Sequence, residues 1–130
     1  MSNNPILVID DDPATLRLIR KILVSKGYHV HTATNDREGV AQLTSNEFAL
    51  LILDMHLPCW NATRVVDHLH ASPTRPLLVV MSSDYESRQW AEEIGAIGFL
   101  EKPITFAALL HTVRNLYQVH LAQNPSLSAI

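Results

Sequence analysis

Runs of Ile, Val and Leu recur along the chain at residues 6–9, 50–53 and 77–81, and weaker runs occupy 28–33 and 97–100. Each has the length of a strand, and unbroken apolarity is what a strand covered on both faces requires. Between these runs the spacing changes to that of helices: Leu16, Ile19 and Leu23, then Val40 and Leu43, then Val65, Val66 and Leu69. A fourth segment, Glu86 to Ile94, carries the helical pattern weakly. The last places Phe106, Leu109, Leu110, Val113, Leu116 and Tyr117 on one stripe and predicts a firmly packed helix. Strand and helix therefore alternate, which demands right-handed crossovers and a parallel sheet, so the predicted fold class is α/β.

Punctuation agrees with this division. Pro13 suits a first helical turn after Asp12, Asn35 suits the cap of the second helix, and Gly27 and Gly95 fall where helices end. No internal repeat or domain linker interrupts the pattern. A single domain is expected over residues 1–120, and 121–130, with Pro125, reads as a tail or the start of a linker.

Composition narrows the classes of function. The chain has 130 residues, 47% of them hydrophobic and 18% charged, which is enough for one domain with its own core. A formal net charge of -3 provides no basic field, so direct nucleic-acid binding is not expected. "FALLIL" and "PLLVVM" fall far short of the roughly 20 apolar residues that span a bilayer, so no membrane segment is expected. Cys59 is the sole cysteine and "MSNNP" does not resemble a signal peptide, which points to a reducing cytoplasm.

The polar residues carry the chemistry. In an open parallel sheet, ligands bind outside the carboxyl ends of the strands. The first strand ends in Asp10, Asp11 and Asp12, the third in Asp54, the fourth in Ser82 and Ser83, and the fifth leads to Lys102. All of them fall on one edge. Two carboxylates about 4 Å apart repel by roughly 4 kcal/mol at an effective dielectric near 20, so gathering Asp10, Asp11 and Asp54 needs a cation. An all-oxygen ligand set favours Mg²⁺, and Lys102 adds a compact positive charge. Such a site suits phosphoryl transfer, with Asp54 as nucleophile and the Ser82 hydroxyl as a donor to a phosphoryl oxygen.

Over residues 5–119 the sequence closely resembles the receiver domain of two-component response regulators. "ILVIDDDP" resembles the acidic motif of the first strand, "LILDMHLP" the phosphoacceptor strand, "VVMSS" the hydroxyl-bearing fourth strand, and "GFLEKP" the lysine-proline motif. The resemblance implies a flavodoxin-like, doubly wound sheet of order 2-1-3-4-5 with five helices. It makes Asp54 the phosphoacceptor and Asp11 a direct Mg²⁺ ligand beside Asp54 and the backbone carbonyl of His56. Asp10 becomes a ligand mainly through water, and Asp12 stands outside the essential pair. Ser82 takes the switch hydroxyl role, Lys102 binds phosphate and precedes a cis proline, Pro103, and Phe99 occupies the aromatic switch position. His56 and Asp84 fall at variable positions flanking the access of water to the acyl phosphate.

The implied partners are a histidine kinase or histidine phosphotransfer protein upstream, and downstream an effector protein or an effector domain absent from these residues. A homodimer through the last two helices is a habit of the family. The chain would not be an enzyme beyond its own phosphorylation and dephosphorylation. Two departures stand out: Ala62 replaces the glycine usual at the entry to helix three, and the stretch from Ser82 to Gly95 is about two residues shorter than the family pattern, implying a truncated or distorted fourth helix.

Two other functions fit parts of the pattern. A receiver-like adaptor independent of phosphate would use the altered fourth helix for constitutive contacts. A haloacid-dehalogenase-type phosphatase would use the D-x-D spacing of Asp10 and Asp12 but leave Asp54 without a purpose. The seven histidines do not suggest a metal centre, because His29 and His31 alternate on a probable edge strand and His68 and His70 do not share a helix face. Trp60 and Trp90 read as core residues or interface anchors.

Overall fold

The alternation resolves into β1 (Ile6–Ile9), α1 (Pro13–Ser25), β2 (Val30–Ala33), α2 (Asp36–Ser45), β3 (Leu50–Asp54), α3 (Ala62–Ala71), β4 (Leu77–Ser82), α4 (Ser87–Glu93), β5 (Gly98–Glu101) and α5 (Phe106–Gln123). The computed structural model describes residues 4–55, 62–84 and 86–124. The strands form one parallel sheet of order β2-β1-β3-β4-β5, as expected.

Alternation along each strand divides the core in two. Ile6, Val8, Leu50, Ile52, Val79 and Met81 meet Leu16, Ile19 and Leu23 of α1 and Leu109, Leu110 and Val113 of α5. Leu7, Ile9, Leu51, Leu53, Leu78 and Val80 face the opposite way, onto Val65, Val66 and Leu69 of α3 and Ala91 of α4. Burial on both faces explains why β1, β3 and β4 read as continuous apolar runs. The strands of β1 and β3 are fully buried throughout their apolar positions.

Helix ends follow the local chemistry. Asp12 accepts from the Ala14 amide at 3.1 Å, and Asn35 accepts from the Glu38 amide at 2.8 Å, each satisfying an amide that the helix leaves unpaired. Glu38 answers by accepting from the amide and hydroxyl of Thr34, and those bonds hold its carboxyl below the ordinary value. Gly27 and Gly95 follow α1 and α4 with φ of 93° and 94°, a left-handed conformation that a side chain would strain.

Three details differ from the sequence expectation or refine it. Phe106 does not join the buried stripe of α5; it is 53% exposed at the first helical position, with the Lys26 ammonium 5.7 Å from its ring centroid. Periodicity assigned it a face, but the first residue of a helix precedes the turns that lie against the sheet. Helix α5 continues to Gln123, three residues past the expected tail boundary at 120. Ala62 opens α3 directly and is buried, so the helix begins where the family usually has a glycine.

Helix α4 is seven residues long, and its cap, Glu86, makes no side-chain capping bond. Trp90 is partly buried against the α3 side of the core, whereas Trp60 and Cys59 lie outside the described residues. Among the described histidines, His31 bonds Gln42 and packs edge-on against Phe48, and the His70 ring nitrogen lies 3.0 Å from the Ile94 carbonyl.

Candidate functional site

Parallel register brings the acidic residues together. Ile9 lies level with Leu53, so the next residues, Asp10 and Asp54, sit side by side at the carboxyl ends of β1 and β3. Both keep even-numbered parity with Val8 and Ile52, and both are buried, at 0% and 2% exposure. Asp11 is exposed at the mouth. One carboxylate oxygen from each of Asp10, Asp11 and Asp54 lies within 4.8 Å of the others, and among the described residues this is the one such group suited to a metal ion.

Lys102 reaches this edge from the loop after β5, where its backbone amide donates to the Ser82 carbonyl at 2.9 Å. Its ammonium donates to Asp10 Oδ2 at 2.8 Å and lies 3.4 Å from Asp54 Oδ2. The following Lys102–Pro103 peptide is cis, as the resemblance implied. Burial would lower the Lys102 pKa, but the Asp10 hydrogen bond and the charges of Asp54 and Asp10 outweigh it and raise it above its ordinary value. For Asp10, burial raises the pKa, and the bonds from Lys102 and the Asp12 amide only partly oppose this.

One ammonium thus faces three carboxylates, two of them buried. The remaining negative charge, presented by oxygen donors with Asp11 open to solvent, is a donor set that fits a hard divalent cation. Asp12 is turned to other work: it accepts from Thr15 Oγ1 at 2.8 Å and caps α1, and these bonds hold its pKa below the ordinary value.

Ser82 ends β4 fully buried. Its Oγ accepts from the Asp84 amide at 2.9 Å and donates to Ser87 Oγ at 3.3 Å. Asp84 is exposed, and its carboxylate accepts from the Glu86 amide at 2.9 Å. Phe99 lies on β5, packed against the α3 side of the core, with the Arg88 guanidinium 5.4 Å from its ring centroid. His56 lies outside the described residues.

The sequence reading assigned nothing to Ser87 or Arg88. A serine and an arginine at the start of a weak helix carry no signal that separates them from surface residues. Only the path of the chain after β4 brings them to Ser82 and Phe99.

Comparison with known proteins agrees with this geometry. Residues 6–114 match the family model of the response regulator receiver domain. The transcriptional regulatory protein HprR of Escherichia coli (strain K12) is 28% identical over 123 residues, covering 94% of this chain and 55% of that protein. The chain spans about half the length of the curated relatives it matches. Among solved structures, a CheY-like receiver domain protein of Methanospirillum hungatei JF-1 superposes with a TM-score of 0.81 at 26% identity, covering 94% of this chain and 99% of that one. TrrA of Thermotoga maritima, solved in complex with Mg(2+)-BeF, gives 0.77 at 25% identity, covering 87% and 98%. With the matched region running from β1 into α5 and the acidic edge assembled, the chain belongs to the response regulator receiver domain family of two-component signalling.

Proposed function

We propose that this chain accepts a phosphoryl group on Asp54 from the phosphohistidine of a histidine kinase or histidine phosphotransfer protein. The observation that carries this reading is the Lys102 ammonium set between Asp10 and Asp54, with Asp11 within ligand distance of both. An Asp54 carboxylate oxygen bonds to phosphorus while the phosphorus–nitrogen bond of the donor breaks and its electron pair leaves with the imidazole.

Mg²⁺ would be held by Asp11, Asp54 and the His56 backbone carbonyl, with Asp10 acting largely through water. When bound it supplies positive charge opposite the phosphoryl oxygens. Lys102, already pinned to both buried carboxylates, neutralises a second oxygen, and the Ser82 hydroxyl donates to the third. Asp10 and Asp11 keep the donor set hard and anionic. His56 and Asp84 flank the approach of water and tune the lifetime of the acyl phosphate.

The output is a change in the face formed by α4, β5 and α5, with Phe99 as the aromatic element of the switch. That face would act on an effector protein, on an effector domain beyond these residues, or on a second copy of the chain. A cytoplasmic location suits these partners. No helix among the described residues is long and apolar enough to cross a membrane.

Incubating the chain with Mg²⁺ and a small acyl phosphate, with Asp54→Ala as control, tests the reading. Label on Asp54 that is lost in the variant is the expected result. An unlabelled chain would favour a phosphate-independent adaptor, and label on Asp10 with turnover would favour a phosphatase.

A further inference from the structure

The first turn of α4 touches both parts of the switch with adjacent residues. Ser87 is buried, at 8% exposure, and lies 3.3 Å from the fully buried Ser82 hydroxyl. Its neighbour Arg88 is exposed and places its guanidinium 5.4 Å from the centroid of Phe99. We propose that Ser87 and Arg88 form a two-point latch that holds Ser82 and Phe99 in the resting arrangement. The latch rests on the assignment of Asp54 as phosphoacceptor and Ser82 as its hydroxyl.

The physical argument begins with one proton. A serine hydroxyl donates a single hydrogen bond. Ser82 Oγ accepts from the Asp84 amide and directs its own hydrogen to Ser87 Oγ. Donation to a phosphoryl oxygen on Asp54 requires that hydrogen to leave Ser87. The two bonds are therefore alternatives, and the Ser82–Ser87 bond opposes phosphorylation.

The second point acts on the ring. A guanidinium over an aromatic face is attracted by the ring quadrupole, most strongly where water is partly excluded. Phe99 is half-buried, so Arg88 favours the observed ring position over any that carries the ring away from the guanidinium. Helix α4 has no side-chain cap of its own, since Glu86 makes none, and the entry to the helix is held instead by the Ser87 amide donating to the Asp84 carbonyl at 3.0 Å. Asp84 donates in turn to Ser82, so one short path of hydrogen bonds joins the hydroxyl to the helix. Loss of the Ser82–Ser87 bond then leaves the start of the helix tied to the strand end through Asp84 alone among the described residues, by its bonds to the Ser87 and Glu86 amides.

The test is titration of the full chain with beryllofluoride in the presence of Mg²⁺, followed by tryptophan fluorescence, since Trp90 lies in α4. Ser87→Ala and Arg88→Ala are each expected to bind the phosphoryl mimic about two- to five-fold more tightly than wild type, the scale of a neutral hydrogen bond or an exposed cation–π contact. Ser87→Thr, which keeps the acceptor, is expected to stay close to wild type. Arg88→Ala alters an exposed residue and folds whatever becomes of the buried position. Unchanged or weaker binding in both alanine variants, while wild type responds and Asp54→Ala does not, overturns the latch alone. A wild type that fails to respond overturns the phosphoacceptor assignment and the latch together.

Discussion

Lys102→Met removes the cation at the acidic edge while keeping most of the aliphatic stem. In the wild type its ammonium lies 2.8 Å from Asp10 and 3.4 Å from Asp54. At an effective dielectric near 20 these separations correspond to about 6 and about 5 kcal/mol of attraction, much of it offset by the desolvation of the charges. The variant leaves two buried carboxylates facing each other without compensation, and breaking a buried pair in this way costs about 3–5 kcal/mol. For a domain of ordinary stability that is a large fraction of the total.

The pH dependence separates charge from packing. The Asp10 pKa is raised in the folded chain, chiefly by burial. A group raised on folding contributes stability that is fully present below its unfolded pKa and is lost as pH rises through the folded value. Lys102 opposes the rise, so in Lys102→Met the Asp10 value moves higher still. The deficit relative to wild type should then be largest near neutral pH and shrink as pH falls toward the unfolded Asp10 value of 3.8.

Urea unfolding followed by circular dichroism, in chelator and in excess Mg²⁺, measures this. Added Mg²⁺ should stabilise the variant more than the wild type, because the ion substitutes for the lost charge. A deficit that stays constant from pH 7 down to the unfolded Asp10 value of 3.8 and is indifferent to Mg²⁺ would refute the electrostatic reasoning and assign the loss to packing.

Asp11→Asn, at the exposed member of the acidic group, should weaken Mg²⁺ binding at least about 10-fold by calorimetry, while in chelator the urea midpoint should rise slightly because one of three mutually repelling charges is gone. His120 is buried at 8% exposure with Nε2 unpartnered among the described residues, and burial lowers its pKa. Its contribution is therefore present above the unfolded histidine value and lost as pH falls through the folded one. His120→Phe should lose less stability than wild type between pH 7 and pH 5 in urea titrations. Gly39→Ala drives a methyl into the Ile9 side chain beneath α2. The overlap with a fully buried Ile9 should outweigh the gain in helix propensity, for a net loss of at most about 2 kcal/mol in the same assay.

Short-range pattern was sufficient for most of the architecture. Unbroken apolar runs marked β1, β3 and β4 because both faces of those strands are covered, and Asp12, Asn35, Gly27 and Gly95 marked helix ends because their backbone chemistry is local. The acidic edge was legible for a related reason: in a parallel sheet every strand ends at the same side, so residues after strands converge whatever their separation in sequence. The seven-residue α4 was foreshadowed by the short stretch between Ser82 and Gly95.

Other features depend on distance in space between residues that no periodicity relates. Phe106 has the spacing of a core residue, but its place at the start of α5 leaves it exposed. Nothing in the composition of α4 tells that Ser87 takes the Ser82 hydrogen or that Arg88 covers Phe99. Nor does the order of residues tell that Lys102 divides its charge between Asp10 and Asp54. Sequence alone determined which residues lie at the functional edge, because strand direction is a property of the repeating pattern. The tertiary structure decided which of them share a proton or a charge, because hydrogen bonds and ion pairs depend on separations of a few ångströms that only packing sets.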